Sequence, residues 1–402
     1  MKKVFSILIF CLNFSLFVSC EAEADTGIDT LEIPSFQYAQ QNMIPEFYAL
    51  DPVELQTVPL PEEADRIFAF ANGRALYSLE QTENEDTISF YSLDISSRER
   101  LYLCDEVYST YLTVTSGTDS VFVALGAGRS GRVLEIDLYS PNLIKNLGSC
   151  ESDTVYNTLK HTEDGSVLFY GFLNEQSSPV FFVDRFAHSS ASKERVLEIE
   201  FSEEQPVGML NMTYSNSKIY CLFYRARQEV VEQVWIDEYT LDGVRQRQIE
   251  LPIDFFMLYS EEQFLGYDIY ADYFDVYGNY VYLRTTTERV LFLRVDESGT
   301  SPVYIMENIS EHSICNSSSH IAKDSNRYQI FFRKSFQELL FFDSQNEKFY
   351  ALPLDLNKDM QINQCWRDKN GLILVEILLP TVQGTHRDYL YINQMDIDFS
   401  QM

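Results

Sequence analysis

Short apolar runs recur along this chain, and a tight-turn signal stands before each of them. Asn72-Gly73 precedes ALYSLE, Asp119 precedes SVFVALG, Asp164-Gly165 precedes SVLFYGF and Asn216-Ser217 precedes KIYCLFY. The series continues with Gly278-Asn279 before YVYLRT, Ser325-Asn326 before RYQIFFR and Asn370-Gly371 before LILVEILL. Gly, Asn and Asp tolerate the positive φ that tight hairpin turns demand. Each turn therefore predicts a β-hairpin.

A second landmark follows in every unit, where a strand runs into an aspartate: Asp94, Asp137, Asp184, Asp242, Asp296, Asp343 and Asp396. Their spacings are 43, 47, 58, 54, 47 and 53 residues, the range of a four-stranded repeat. An Asp at a strand end can accept backbone N–H groups of the following turn, which reads as structural punctuation. After the first six comes one more strand: RLYLC, LIKNLG, RVLEIEF, RQIELPI, PVYIM and KFYALPL. The seventh unit has no such strand. VELQTV, residues 53–58, alternates as a strand and belongs to no unit. It is expected to be the outer strand of the last unit, closing a ring and removing an open sheet edge.

Over residues 52–400 this arrangement resembles the β-propeller superfamily. The resemblance rests on repeat length, strand count and the closing strand; no WD set, kelch glycine pair or S-x-D-x-G-x-T-W box occurs. It implies an all-β, seven-bladed propeller with four-stranded blades. Units four and five are long, which leaves a six-bladed TolB-like propeller as the alternative. Only Ser260 to Tyr273 suggests helical periodicity.

The N-terminus reads as an address. Lys2 and Lys3 precede an apolar run from Val4 to Val18, shorter than the roughly 20 residues that span a bilayer, as in a signal peptide. Phe17-Val18-Ser19-Cys20 resembles the lipobox of bacterial lipoproteins, with Phe17 where Leu is usual. The resemblance implies lipidation of Cys20. The expected organisation is a signal peptide over 1–19, an extended acidic tether over 20–50 and the propeller over 51–402. Cys104, Cys150, Cys221, Cys315 and Cys365 have wide spacing and no C-x-x-C, so buried thiols are expected rather than a zinc site. A Cys315–Cys365 bridge requires Cα atoms within about 7 Å.

Charge sharpens this picture. With 61 acidic against 30 basic residues and a net charge of −31, the chain lacks the clustered cations that phosphate contacts require. At 45% hydrophobic it is no disordered acidic tail either. The expected blade-to-blade connections read PEEAD, DEVYS, SCESD, SEEQ, SEEQ, ENISEH and DLNKD, 15 acids in 34 residues. In a propeller these connections share one face. Glu62, Glu63, Asp105, Glu106, Glu151, Asp153, Glu203, Glu204, Glu261 and Glu262, with Asp355 and Asp359, are the candidates for an acidic docking face.

Other motifs point to chemistry less directly. Gly126 to Gly131 fits G-x-G-x-x-G, but a strand pattern follows where a dinucleotide site needs a helix. Asp355, Asn357, Asp359 and Gln361 alternate as in a calcium loop, with Met360 in place of the turn Gly and Trp366 at position twelve. A weak Ca²⁺ site is the only cofactor expectation. Asp268, Asp272 and Asp275 form a carboxylate group whose geometry depends on the local structure. His161 and His320 fall on expected innermost strands with Asn211 and Asn363, making a candidate channel site. Lys160, Thr213 and Arg367 are neighbours there.

The expected function is an extracytoplasmic, membrane-anchored lipoprotein that acts as a binding or scaffolding module, monomeric, with a basic protein segment or cations on its acidic face. The alternative is a propeller enzyme, a glycan or peptide hydrolase or lyase, using rim or channel carboxylates and His.

Overall fold

The computed structural model describes residues 43–58, 60–61, 64–79, 87–107, 111–127, 130–150, 155–174, 179–188, 192–201, 207–227, 230–260, 263–287, 289–297, 299–306, 314–316, 327–333, 336–381 and 384–400. Cys20, the signal peptide and most of the tether lie outside these residues. Seven four-stranded antiparallel blades form a ring, a seven-bladed β-propeller. Blades I to VII span residues 64–107, 111–150, 155–200, 207–251, 271–306, 314–353 and 361–393. First strands of neighbouring blades touch at several junctions, including VII with I. The first strand of each blade is therefore innermost, and the ring is shut. Among the described residues no helix is long and apolar enough to cross a membrane.

The strands read as nearly continuous apolar runs because both of their faces are buried. In Ser120–Ala127 of blade II, Val121, Val123 and Leu125 pack with blade I, whereas Phe122 and Ala124 pack with blade III. Seven hydrophobic clusters result among the described residues, one at each junction of the ring. Between blades V and VI the filling is aromatic: Phe292 and Phe342 lie edge to face at 4.9 Å, with Tyr280 also 4.9 Å from Phe342. Such pairs contribute about 0.5–1.5 kcal/mol each beyond the area they bury.

Local chemistry explains the hairpins. Asn72 and Gly73 have φ of 48° and 77°, and Asn216 and Ser217 have 50° and 57°. Two successive left-handed residues are what a type I′ turn requires. The Asp landmarks act as expected at three positions. Asp94 accepts the Ser96 and Ser97 amides at 3.0 and 2.9 Å, Asp137 the Tyr139 amide at 2.7 Å, and Asp343 the Gln345 amide at 3.0 Å. Asp184 departs from the pattern. Its strand, Pro179–Ala187, continues past it, and the buried carboxylate pairs instead with Arg195 and with Lys193 at 2.9 Å.

The N-terminal residues lace the rim of three blades. Met43 exchanges backbone hydrogen bonds with Ile305 of blade V at 2.8 and 3.0 Å. Phe47–Ala49 then runs parallel to the outer strand of blade VI, Phe47 opposite Phe349, as a fifth strand. Gln56–Thr57 closes blade VII antiparallel to Tyr391 and Leu390, and the Val58 amide bonds the Tyr389 carbonyl at 2.8 Å. The closing strand lies where the alternation of VELQTV placed it. Residues 43–50, expected as tether, instead belong to the folded body: Leu50 is buried against blades VI and VII.

The helical expectation over Ser260 to Tyr273 is corrected. Ile253–Phe256 form a 3-10 turn, and an extra hairpin, Met257–Ser260 with Gln263–Tyr267, occupies the connection from blade IV to blade V. The first strand of blade V begins at Ala271. Phe255 and Phe256 drop from the 3-10 turn into the core between these blades, and that burial outweighs the weak helical period.

Candidate functional site

The innermost strands present polar side chains, and most of those described are bonded to a neighbouring strand. His161, at the end of Val155–His161, stacks on Phe122 of blade II with centroids 5.2 Å apart and planes 21° apart. Burial lowers its pKa, against smaller opposing pulls from Asp164, Glu135 and Glu163. Its ring is neutral at pH 7, a wedge between blades. Asn211 donates to the Ala271 carbonyl at 3.1 Å and accepts the Met212 amide at 2.7 Å, tying blade IV to blade V. Asn363 donates to Glu376 of its own blade. Arg367 is 2% exposed; burial brings its pKa down to about 10, and its Nη1 donates to the Tyr328 carbonyl at 2.7 Å. His320 lies outside the described residues.

The carboxylate group divides between separate partners. Asp275 is fully buried and accepts Thr213 Oγ1 at 2.8 Å, the Tyr273 hydroxyl at 3.0 Å and the Val276 amide at 2.9 Å. Asp268 accepts from Thr286, at 3.5 Å, and Thr287. The side chain of Asp272 lies outside the described residues.

In the alternating loop, Asp355, Asn357, Asp359 and Gln361 are all exposed. The Gln337 side-chain amide donates to the Asn357 and Met360 carbonyls at 2.8 and 2.6 Å. Among the described residues no three His, Cys, Asp or Glu side chains converge as a metal site. In the glycine-rich motif Gly126 pairs with Gly131 across a hairpin, and strand Ser130–Asp137 follows. A Cβ on Gly131 would lie 2.7 Å from the Tyr111 hydroxyl and 2.8 Å from the Cys150 carbonyl oxygen. That glycine serves packing. Cys104, Cys150, Cys221 and Cys365 are buried, and the side chain of Cys315 lies outside the described residues. Burial pushes Cys104 up to about 12.

Antiparallel order within each blade puts every connection from an outer strand to the next inner strand on one face of the ring. Asp105, Asp355 and Asp359 are exposed there. Glu106 turns inward, 8% exposed, and pairs with Arg132 of blade II. Burial raises its pKa, and Arg132 pulls the other way. Glu62, Glu63, Glu151, Asp153, Glu203, Glu204, Glu261 and Glu262 lie outside the described residues.

One concavity escaped the sequence reading. Between the end of the outer strand of blade III, Ser192–Glu200, and blade IV lies a cleft of about 240 Å³. Glu200, Phe201, Phe223, Trp235, Asp237 and Tyr239 are among its lining. Trp235, Asp237 and Tyr239 alternate on strand Val230–Thr240 and so share one face. An acid between two aromatics on a face that should be purely apolar was the available signal.

No protein-family model and no curated protein sequence matches this chain. Solved structures do match it in fold. The β-propeller domain of the trilobed protease from Pyrococcus furiosus, described as having an open velcro topology, is 12% identical with a TM-score of 0.50, over 86% of this chain and 100% of that one. Oligogalacturonate lyase in complex with manganese is 10% identical with a TM-score of 0.50, over 87% and 100%. YCF48 bound to D1 peptide is 9% identical with a TM-score of 0.49, over 86% and 99%. At these identities the likeness is one of fold alone.

Proposed function

We propose that this protein is a lipid-anchored extracytoplasmic lipoprotein whose propeller binds a basic protein segment through its acidic face. The observation that carries this reading is the exposure of Asp105, Asp355 and Asp359 on the face that all blade connections share. Like charges gathered on one face raise a negative potential that draws cationic partners. His161, Asn211, Asn363 and Asp275 are engaged in contacts between strands, which favours a rigid binding platform over a catalytic channel. The Lys2-Lys3 start, the apolar run and Ser19-Cys20 support the address.

Binding of a synthetic Lys/Arg-rich peptide, measured at two ionic strengths, tests the face. Combined Asp105→Lys, Asp355→Lys and Asp359→Lys is expected to weaken capture by about tenfold or more, because three exposed charge changes of up to ~1 kcal/mol each add. Unchanged affinity, or affinity indifferent to salt, overturns the reading. Cys20→Ser is expected to move the protein from the membrane fraction to the soluble one, and retention in the membrane fraction refutes the anchor.

A further inference from the structure

The connection from blade IV to blade V is the long one of the ring. It spans residues 252–270, whereas the others span 58–63, 108–110, 151–154, 201–206, 307–313 and 354–360. Long connections in compact folds tend to carry function. The base of this one is fixed. Phe255, Phe256 and Ile269 are buried, the Asp268 amide bonds the Phe256 carbonyl at 2.7 Å, and the Thr286 amide bonds the Tyr270 carbonyl at 2.9 Å. Its second strand, by contrast, presents an apolar side chain to water. Leu258 pairs with Gly266 and Tyr259 with Phe264, so Leu265 is an extra residue in that strand. A bulge of this kind re-aims a side chain. Leu265 is 55% exposed, and Tyr270, just past the hairpin, is 50% exposed.

Met43 and Ile44 bring two more exposed apolar side chains to the same end of blade V, at 38 and 47%. Met43 pairs with Ile305, beside the end of the outer strand Gly299–Met306, and that strand ends on the face of the blade connections. The outer strands of blades IV and V are in contact, so the hairpin and Met43 flank one junction. Large apolar side chains gathered on a surface mark contact with a protein or a membrane. The position of the anchor decides between the two. Met43 is the first described residue, and residues 21–42, which separate it from Cys20, span at most about 80 Å when fully extended. A link of that length holds the body at a high effective concentration next to lipid, so a weak contact with the bilayer is populated without any further partner. The net charge of −31 opposes anionic lipid and leaves a zwitterionic surface as the match. We infer that the blade V end of the acidic face rests on the membrane, with Met43, Ile44, Leu265 and Tyr270 in the apolar boundary of a zwitterionic bilayer. The contact is too weak to hold the protein there alone, in keeping with the release expected of Cys20→Ser. It rests on the lipid anchor proposed at Cys20 and uses none of the three acids reversed in the test of the docking face.

The test reconstitutes the lipidated full-length protein into phosphatidylcholine vesicles with and without dibrominated acyl chains, which quench nearby indoles. Leu265→Trp places a reporter at the exposed bulge. Val244→Trp is the control, because Val244 is 57% exposed between the third and fourth strands of blade IV, on the opposite face. Trp235 and Trp366 are buried and give a constant background. The Leu265→Trp emission is expected to shift to the blue on reconstitution and to be quenched at least about twofold more than that of Val244→Trp. Adding Ile44→Asp to the Leu265→Trp chain is expected to reduce that quenching. A vesicle-bound protein whose Leu265→Trp reporter is quenched no more than the control overturns the contact alone. Protein that does not enter vesicles refutes the anchor and the contact with it. A blue shift already present in detergent and growing with protein concentration assigns the patch to a second copy of the chain, and likewise overturns the inference.

Discussion

The Asp368 carboxylate of blade VII accepts the Gly73 amide of blade I at 2.9 Å, a hydrogen bond that joins the last blade to the first across 295 residues of sequence. Its other oxygen accepts the Asn370 and Leu372 amides of its own turn at 2.9 and 2.8 Å. Beside it the Asn370 side chain donates to Asn72 at 3.0 Å. The ring is thus sealed twice, near its axis by Asp368 and at its rim by Val58 on Tyr389.

Asp368 is fully buried, so removing its carboxylate leaves the Gly73, Asn370 and Leu372 amides, in partly buried surroundings, without their acceptor. Asp368→Ala is expected to lower the unfolding free energy by about 3 kcal/mol, from partners left unsatisfied at ~1–3 kcal/mol each. Asp242→Ala, at an exposed turn, should stay within about 0.5 kcal/mol. Urea midpoints at constant m-value report both. Equal midpoints would show that the axial seam carries no load.

The rim segment should behave in two stages. A shortened chain beginning at Asp51 loses the fifth strand of blade VI, the buried Leu50, and Phe47, whose ring sits 5.8 Å from Phe349 and 4.3 Å beneath the Arg333 guanidinium. It should fold as a closed ring destabilised by about 4 kcal/mol, the burial of two large apolar side chains. A chain beginning at Leu60 also loses Gln56–Val58 and bares the outer edge of Gly384–Asn393. Exposed strand edges recruit other edges. Size-exclusion chromatography should find the first chain monomeric and the second self-associated.

Acid should destabilise the fold in two windows. Burial depresses the pKa of His161 below its ordinary 6.5, so the native state binds fewer protons than the unfolded chain. The His161 contribution is full above about pH 6.5 and is lost as pH falls towards the depressed value. Asp343 follows at lower pH. Burial opposes its ionisation, but Arg327 and the Gln345 amide outweigh burial and hold it below 3.8. Its contribution is full above about pH 4 and is lost below that as the folded-state group takes up a proton. His161→Gln should flatten the stability profile below about pH 6.5, where the His161 contribution is lost, and leave the deeper acid limb in place. A profile identical to that of the parent would show that His161 does not titrate differently on unfolding.

Blade count, strand order and the closing strand were all legible in the chain. The turns at Asn72-Gly73 and Asn216-Ser217 are decided by two residues each, and an apolar run such as SVFVALG is a strand wherever both its faces find cover. Such choices are local, so the sequence by itself determined them, along with the acidic balance that tells against nucleic acid. Tertiary structure alone decided how individual polar groups are used. Glu106 and Asp105 are neighbours in sequence, yet one is buried on Arg132 and the other is exposed. Asp184 and Asp94 look alike as strand-end acids, yet one pairs with Arg195 and the other caps a turn. The cleft at Trp235 exists because the end of one blade's outer strand lies against the next blade's third strand. Burial, neutralisation and concavity depend on which blade lies alongside, and only closing the ring sets that neighbour.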